Sequence, residues 1–179
     1  MRRLAMLCLP VIALALPATA LALHDASGDG TLVVKNGTAP RGVAVVTLVI
    51  NGTAIGHVST GSPDQVDKVV IDDPNNTNDI GASLTNGAPT LTRTTLSDTK
   101  TSFVGSDFRF RAAGGVYKIW VYGSGVDLFA VGKGTVVLQG TPDSSGPDGR
   151  YSLNGTPTAP DWHSLPAVPT DLLKITSSG

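Results

Sequence analysis

The chain of 179 residues carries 13 basic and 14 acidic side chains, 21 glycines, 12 prolines and one cysteine, and its acids are all aspartate. So balanced a charge argues against a nucleic-acid partner, and one cysteine rules out an internal disulfide framework. With no glutamate, any carboxylate acid/base pair would have to be built from aspartates.

Residues 1–22 read as an export signal. Arg2 and Arg3 precede the apolar run from Leu4 to Leu16, and Ala18-Thr19-Ala20 and Ala20-Leu21-Ala22 offer small-residue cleavage sites. Cys8, Met1 and Met6 all lie in this segment, so the mature protein is expected to hold neither cysteine nor methionine, with 11 basic against 14 acidic residues, a net charge of −3. The longest later apolar run, Val43 to Ile50, is far shorter than the ~20 residues of a bilayer-spanning helix. A secreted location, or a periplasmic or cell-envelope one, is therefore expected, with no membrane span in the mature chain.

Residues 23–179 read as a single β-rich domain with an irregular loop at 140–169. Glycine and proline interrupt the sequence throughout, strong helix formers are scarce, and no amphipathic helix is evident. Candidate strands are Thr31 to Lys35, Val43 to Ile50, Thr53 to Thr60, Val66 to Asp72, Leu91 to Leu96, Thr101 to Val104, Asp107 to Ala112, Val116 to Tyr122, Val126 to Val131, Thr135 to Gln139, Arg150 to Leu153 and Leu172 to Thr176. The expected fold is all-β, one antiparallel β-sandwich or barrel of about 10–12 short strands. Asp73 to Thr90 and Gly140 to Pro169 are the longest irregular stretches.

Two hairpins follow from turn chemistry. Asn51-Gly52 between apolar segments predicts a type I′ turn, which places Leu48 opposite Ile55 and Val46 opposite His57, with His57 on an apolar ladder. Gly114-Gly115 predicts a second turn, with Phe108, Phe110, Ala112, Tyr117, Ile119 and Val121 facing the core. Its other face then sets Arg109 opposite Trp120, Arg111 opposite Lys118 and Asp107 opposite Tyr122.

That outer face, with Arg109, Arg111, Lys118, Trp120 and Tyr122, is the best candidate ligand-binding surface. Arg109 stacked on Trp120 would form a cation–π pair. The like charges of Arg111 and Lys118 would favour an anionic partner. A cell-surface glycan or acidic polymer suits such a surface. The alternative is packing of Trp120 and Tyr122 beneath a neighbouring sheet or loop.

Asp73, Asn75, Thr77 and Asp79 offer oxygens at alternate positions, as calcium loops begin. Asn78 and Leu84 then stand where an EF-hand requires glycine and glutamate, so the only cofactor this leaves room for is an irregular, weak structural calcium. The three histidines, His24, His57 and His163, suggest a rival reading: a secreted metal-dependent enzyme or copper carrier. It would need His24 as the first mature residue, against the small-residue rule.

No Gly-x-Ser-x-Gly elbow occurs, and Ser59, two residues from His57, has no carboxylate placed beside it by sequence. Aspartate pairs remain open, but nothing marks one out, and the weight falls on a non-catalytic protein. Four Asn-x-Thr triplets begin at Asn36, Asn51, Asn75 and Asn154 and read better as turn chemistry than as glycosylation signals.

The stretch Gly123 to Gly140, with Val126-Asp127-Leu128-Phe129-Ala130-Val131-Gly132-Lys133-Gly134-Thr135-Val136, resembles small, uncharacterised secreted bacterial β-rich proteins, as does Asp29-Gly30-Thr31-Leu32-Val33-Val34-Lys35-Asn36-Gly37. The resemblance implies an exported β domain and transfers no activity and no site. The expected function is a secreted or envelope-associated non-catalytic binding or surface structural module. Self-association through an exposed sheet edge is a further expectation.

Overall fold

The computed structural model describes residues 29–59, 67–77, 79–85, 90–141, 149–155 and 161–176. The export signal assigned to residues 1–22 and the rival ligand His24 lie outside the described residues. Among the described residues eleven strands occur in chain order: β1 (Gly30–Gly37), β2 (Ala44–Ser59), β3 (Asp67–Asp72), β4 (Ile80–Leu84), β5 (Leu91–Thr95), β6 (Lys100–Gly105), β7 (Asp107–Tyr122), β8 (Val126–Leu138), β9 (Arg150–Leu153), β10 (His163–Ser164) and β11 (Leu173–Ile175). All pairings are antiparallel and the sheet does not close into a barrel. No helix long and apolar enough to cross a membrane occurs among the described residues.

Both expected hairpins are corrected. Val43 to Ile50 and Thr53 to Thr60 are not two strands joined by a turn: Asn51 and Gly52 lie inside the single 16-residue strand β2. Asp107 to Ala112 and Val116 to Tyr122 likewise belong to one 16-residue strand, β7, and the two candidate strands from Val126 and Thr135 fuse into the 13-residue β8. A type I′ turn needs positive φ at both central residues. Asn51 is not among the residues with positive φ, so the backbone there stays extended.

Glycine serves a different purpose in these strands. Gly52 pairs with Gly115 of β7 on one side and Gly132 of β8 on the other, so the three long strands carry a row of glycines across the middle of the sheet. The pairing of β2 with β7 shifts register just after this row, where Ala113 and Gly114 bulge opposite Thr53 and Gly114 takes φ +70°. Tyr117 secures the bulge: its hydroxyl donates to the Ala113 carbonyl at 2.6 Å and lies 3.0 Å from Thr77 Oγ1.

The glycine row divides the sheet into two layers that share β2, β7 and β8. In the first, the order is β11, β8, β2, β7, β3, β6, β5; in the second it is β4, β7, β2, β8, β1, β9, β10. Inward residues of the first layer (Leu48, Ile50, Ile119, Phe103, Val136) and of the second (Leu32, Val34, Phe108, Phe110, Leu128) all lie in one cluster, each at most 3% exposed. With no helix among the described residues to cover them, the two inner faces cover one another, which makes the domain sandwich-like. The core face expected for Phe108, Phe110, Ala112, Tyr117, Ile119 and Val121 is correct, because the bulge in β7 restores the inward phase after one extra residue.

Candidate binding faces

The expected surface is divided between the two layers. Arg109 pairs with His57 and Ser83, and Arg111 with Ile55 and Gly81, on the outer face of the second layer. Lys118 pairs with Val49 and Asp72, Trp120 with Thr47 and Val70, and Tyr122 with Ala44 and Lys68, on the outer face of the first. Neither the Arg109 and Trp120 pair nor the Arg111 and Lys118 repulsion exists, because both presuppose a turn at Gly114-Gly115.

Trp120 has other cations. Lys118 Nζ lies 4.8 Å and Lys100 Nζ 5.2 Å from its ring centre, while Lys68 Nζ is 5.8 Å from the Tyr122 ring. Register sets these neighbours, since Lys118, Asp72 and Lys100 are directly opposite one another on β7, β3 and β6. The same row continues across Val49 and Thr135 to Lys174 on β11. At about 4.8 Å per strand, Lys118 stands ~10 Å from Lys100 and ~14 Å from Lys174 along the row.

Lys68 and Lys133 also occupy outward positions of this layer, so five of the six lysines in the chain share one face. Among the described residues Asp72 is the sole carboxylate at the outward strand positions there, and it takes Lys100 at 3.5 Å. Sequence reading missed Lys68, Lys100, Lys133 and Lys174. Each is an ordinary strand lysine by itself, and only the pairing of five strands gathers them.

The second layer's outer face is mixed in charge. His57, expected on an apolar ladder beside Val46, points outward instead between Arg109 and Asp127. Its Nε2–H donates to Asp107 Oδ1 at 2.7 Å. Burial acts to raise the Asp107 carboxyl, but the His57 hydrogen bond, the Thr85 hydroxyl beside it and the charges of His57 and Arg109 outweigh it and hold the group below its ordinary value.

Asp67 stands nearby at the start of β3, fully buried, with Oδ1 accepting the Ser124 N–H at 3.1 Å. Its Oδ2 has no partner among the described residues. Burial pushes this carboxyl up to about 7; the Ser124 hydrogen bond opposes the shift, the Asp107 charge adds to it and the His57 charge opposes it.

In the expected calcium loop, two of the oxygens pair with each other and a third takes an arginine. Thr77 Oγ1 donates to Asp73 Oδ2 at 3.0 Å, Asp79 Oδ1 takes the Arg111 guanidinium at 2.8 Å, and Asn75 is exposed. His57 on β2 and His163 on β10 lie four strands apart in the sheet order, so the fold does not bring these two together. No group of three or more His, Cys, Asp or Glu among the described residues is arranged to hold a metal ion. No family model, curated protein or solved structure matches the chain.

Proposed function

We propose that this protein is a secreted or envelope-associated, non-catalytic binding module that holds an acidic polymer on the outer face of its first layer. The observation carrying this reading is the gathering of Lys68, Lys100, Lys118, Lys133 and Lys174 on one sheet face beside a single strand carboxylate, in a chain whose overall charge is −1. The lysines stand on rigid strands several ångströms apart, a spacing that meets repeated charges along a carboxylate- or phosphate-bearing chain. The ammonium groups of three of them lie against the Trp120 and Tyr122 rings, contacts that favour these positions before any ligand arrives.

Contacts of this kind are screened by salt. Retention on immobilised polygalacturonate and polyphosphate, eluted with a sodium chloride gradient, tests the proposal. The wild-type protein is expected to be retained on at least one of them, and the triple variant Lys100→Gln, Lys118→Gln, Lys174→Gln to elute at markedly lower salt while remaining folded by far-UV circular dichroism. No retention on either matrix, or equal elution of the two proteins, overturns it.

A further inference from the structure

We propose that the outer face of the second layer is a separate site for an amphipathic monocarboxylate, whose apolar body lies across β1, β8 and β2 and whose acid group is taken by Arg109. Two parallel rows of side chains carry this inference. Val33, Phe129 and Ile55 stand directly opposite one another on three adjacent strands. Ile55 is 46% exposed there, in the middle of a long strand. Two strand spacings make this apolar row about 10 Å long.

The neighbouring row carries the charges, running from Arg109 on β7 to Arg150 on β9; Arg150 lies over the Trp162 ring, and the cations between these two ends are matched. Lys35 binds Asp127 at 3.1 Å, His57 binds Asp107 at 2.7 Å and, on the flank, Arg111 binds Asp79 at 2.8 Å. Arg109 makes neither an ion pair nor a hydrogen bond with its side chain among the described residues, although Asp107 feels its charge. It stands diagonal to Ile55, at one end of the apolar row.

Two open depressions, of about 300 and 520 Å³, adjoin at this point and share Ile55 and Arg109 in their walls. Gly81, opposite Arg111 on β4, leaves space where a side chain would stand. A ligand with one anionic group satisfies Arg109, the unpaired cation beside Ile55, through a charge-assisted, two-point hydrogen bond. Its apolar body gains by covering Ile55, Phe129 and Val33. A polyanion suits the site poorly, because its further charges would fall on the apolar row or on cations already matched.

Octanoate, kept below its micelle-forming concentration, is the probe, with 1-octanol as the uncharged counterpart and amide chemical shifts as the readout. Octanoate is expected to bind saturably, shifting amides around Ile55, Phe129 and Arg109. Arg109→Gln is expected to weaken binding by about tenfold or more, as loss of a hydrogen bond to a charged group does. Ile55→Ser should weaken it, whereas Lys118→Gln, on the opposite face, should leave it within about twofold of wild type, a change of about 0.4 kcal/mol. The proposal is overturned if octanoate does not saturate, if octanol binds as tightly, or if folded Arg109→Gln binds like the wild type.

Discussion

Gly52 and Gly132 stand opposite each other so closely that neither has room for a side chain. A β-carbon on Gly52 would lie 2.8 Å from Cα of Gly132, and one on Gly132 would lie 2.9 Å from Cα of Gly52. The obstacle is backbone in both directions, so no rotamer change relieves it. Gly52→Ala and Gly132→Ala are each expected to destabilise the fold by more than about 1 kcal/mol. Gly81→Ala, with nothing within 4 Å of the added carbon, should stay within about 0.5 kcal/mol. Urea titration of the three variants checks the contrast.

Asp67 imposes a pH dependence of defined sign. Its folded value of about 7 lies above the ordinary 3.8, so between these limits the folded state holds a proton that the unfolded state has lost. Stability contributed by this group therefore falls as pH rises from about 4 to about 7 and levels off above that range. Asp67→Asn removes the ionisation, and its stability relative to wild type should improve as pH rises across that window. Thermal midpoints at pH 4, 5.5 and 8 provide the measurement; a constant difference between the two proteins would refute the assignment.

Asp107 behaves in the opposite sense. Because its folded value is lowered, the stability it contributes is present above the ordinary carboxylate range and is lost as pH falls through the lowered value. In His57→Ala the hydrogen bond to Oδ1 and the positive charge both disappear. The Asp107 side-chain carboxyl carbon, followed by NMR, should then titrate at a higher pH than in the wild type.

Trp120 joins two lysines, one of which, Lys100, also meets Asp72 at 3.5 Å. Exposed contacts between a cation and an aromatic ring contribute about 0.5–1 kcal/mol each, so Trp120→Ala is expected to lose about 1–2 kcal/mol from Lys100 and Lys118 together. Val70, directly opposite on β3 and 7% exposed, would become more accessible to water. A modest fall in the urea midpoint, with the fold intact by far-UV circular dichroism, is the expected result; complete unfolding would place Trp120 in the core.

Alternation of apolar residues was enough to read the fold class and the core face of β7 from the sequence, since Phe108, Phe110, Ala112, Tyr117, Ile119 and Val121 keep their phase whether or not the strand turns. Connectivity was not legible. Asn51-Gly52 and Gly114-Gly115 are equally suited to a two-residue turn and to a strand that bends or bulges under a close neighbour, and only the pairing of Gly52 with Gly115 and Gly132 distinguishes the cases. The error propagated to the candidate site. Arg109 and Trp120 were placed face to face by a turn that does not exist, while Lys100 and Lys174, distant in sequence from Lys118, were brought into its row by strands whose order no local pattern encodes. Strand β4 was overlooked because Ile80–Leu84, at GASL after Ile80, has little β-branched character and gains its place only by pairing with β7.

The three strands common to both layers leave the molecule without a seam. The layers cannot part unless the continuous strands β2, β7 and β8 give way, and that movement would wet the whole shared core at once. The two outer surfaces are consequently fixed back to back, so that whatever rests against the lysines leaves the Arg109 side facing away, as the heads and tails of one coin.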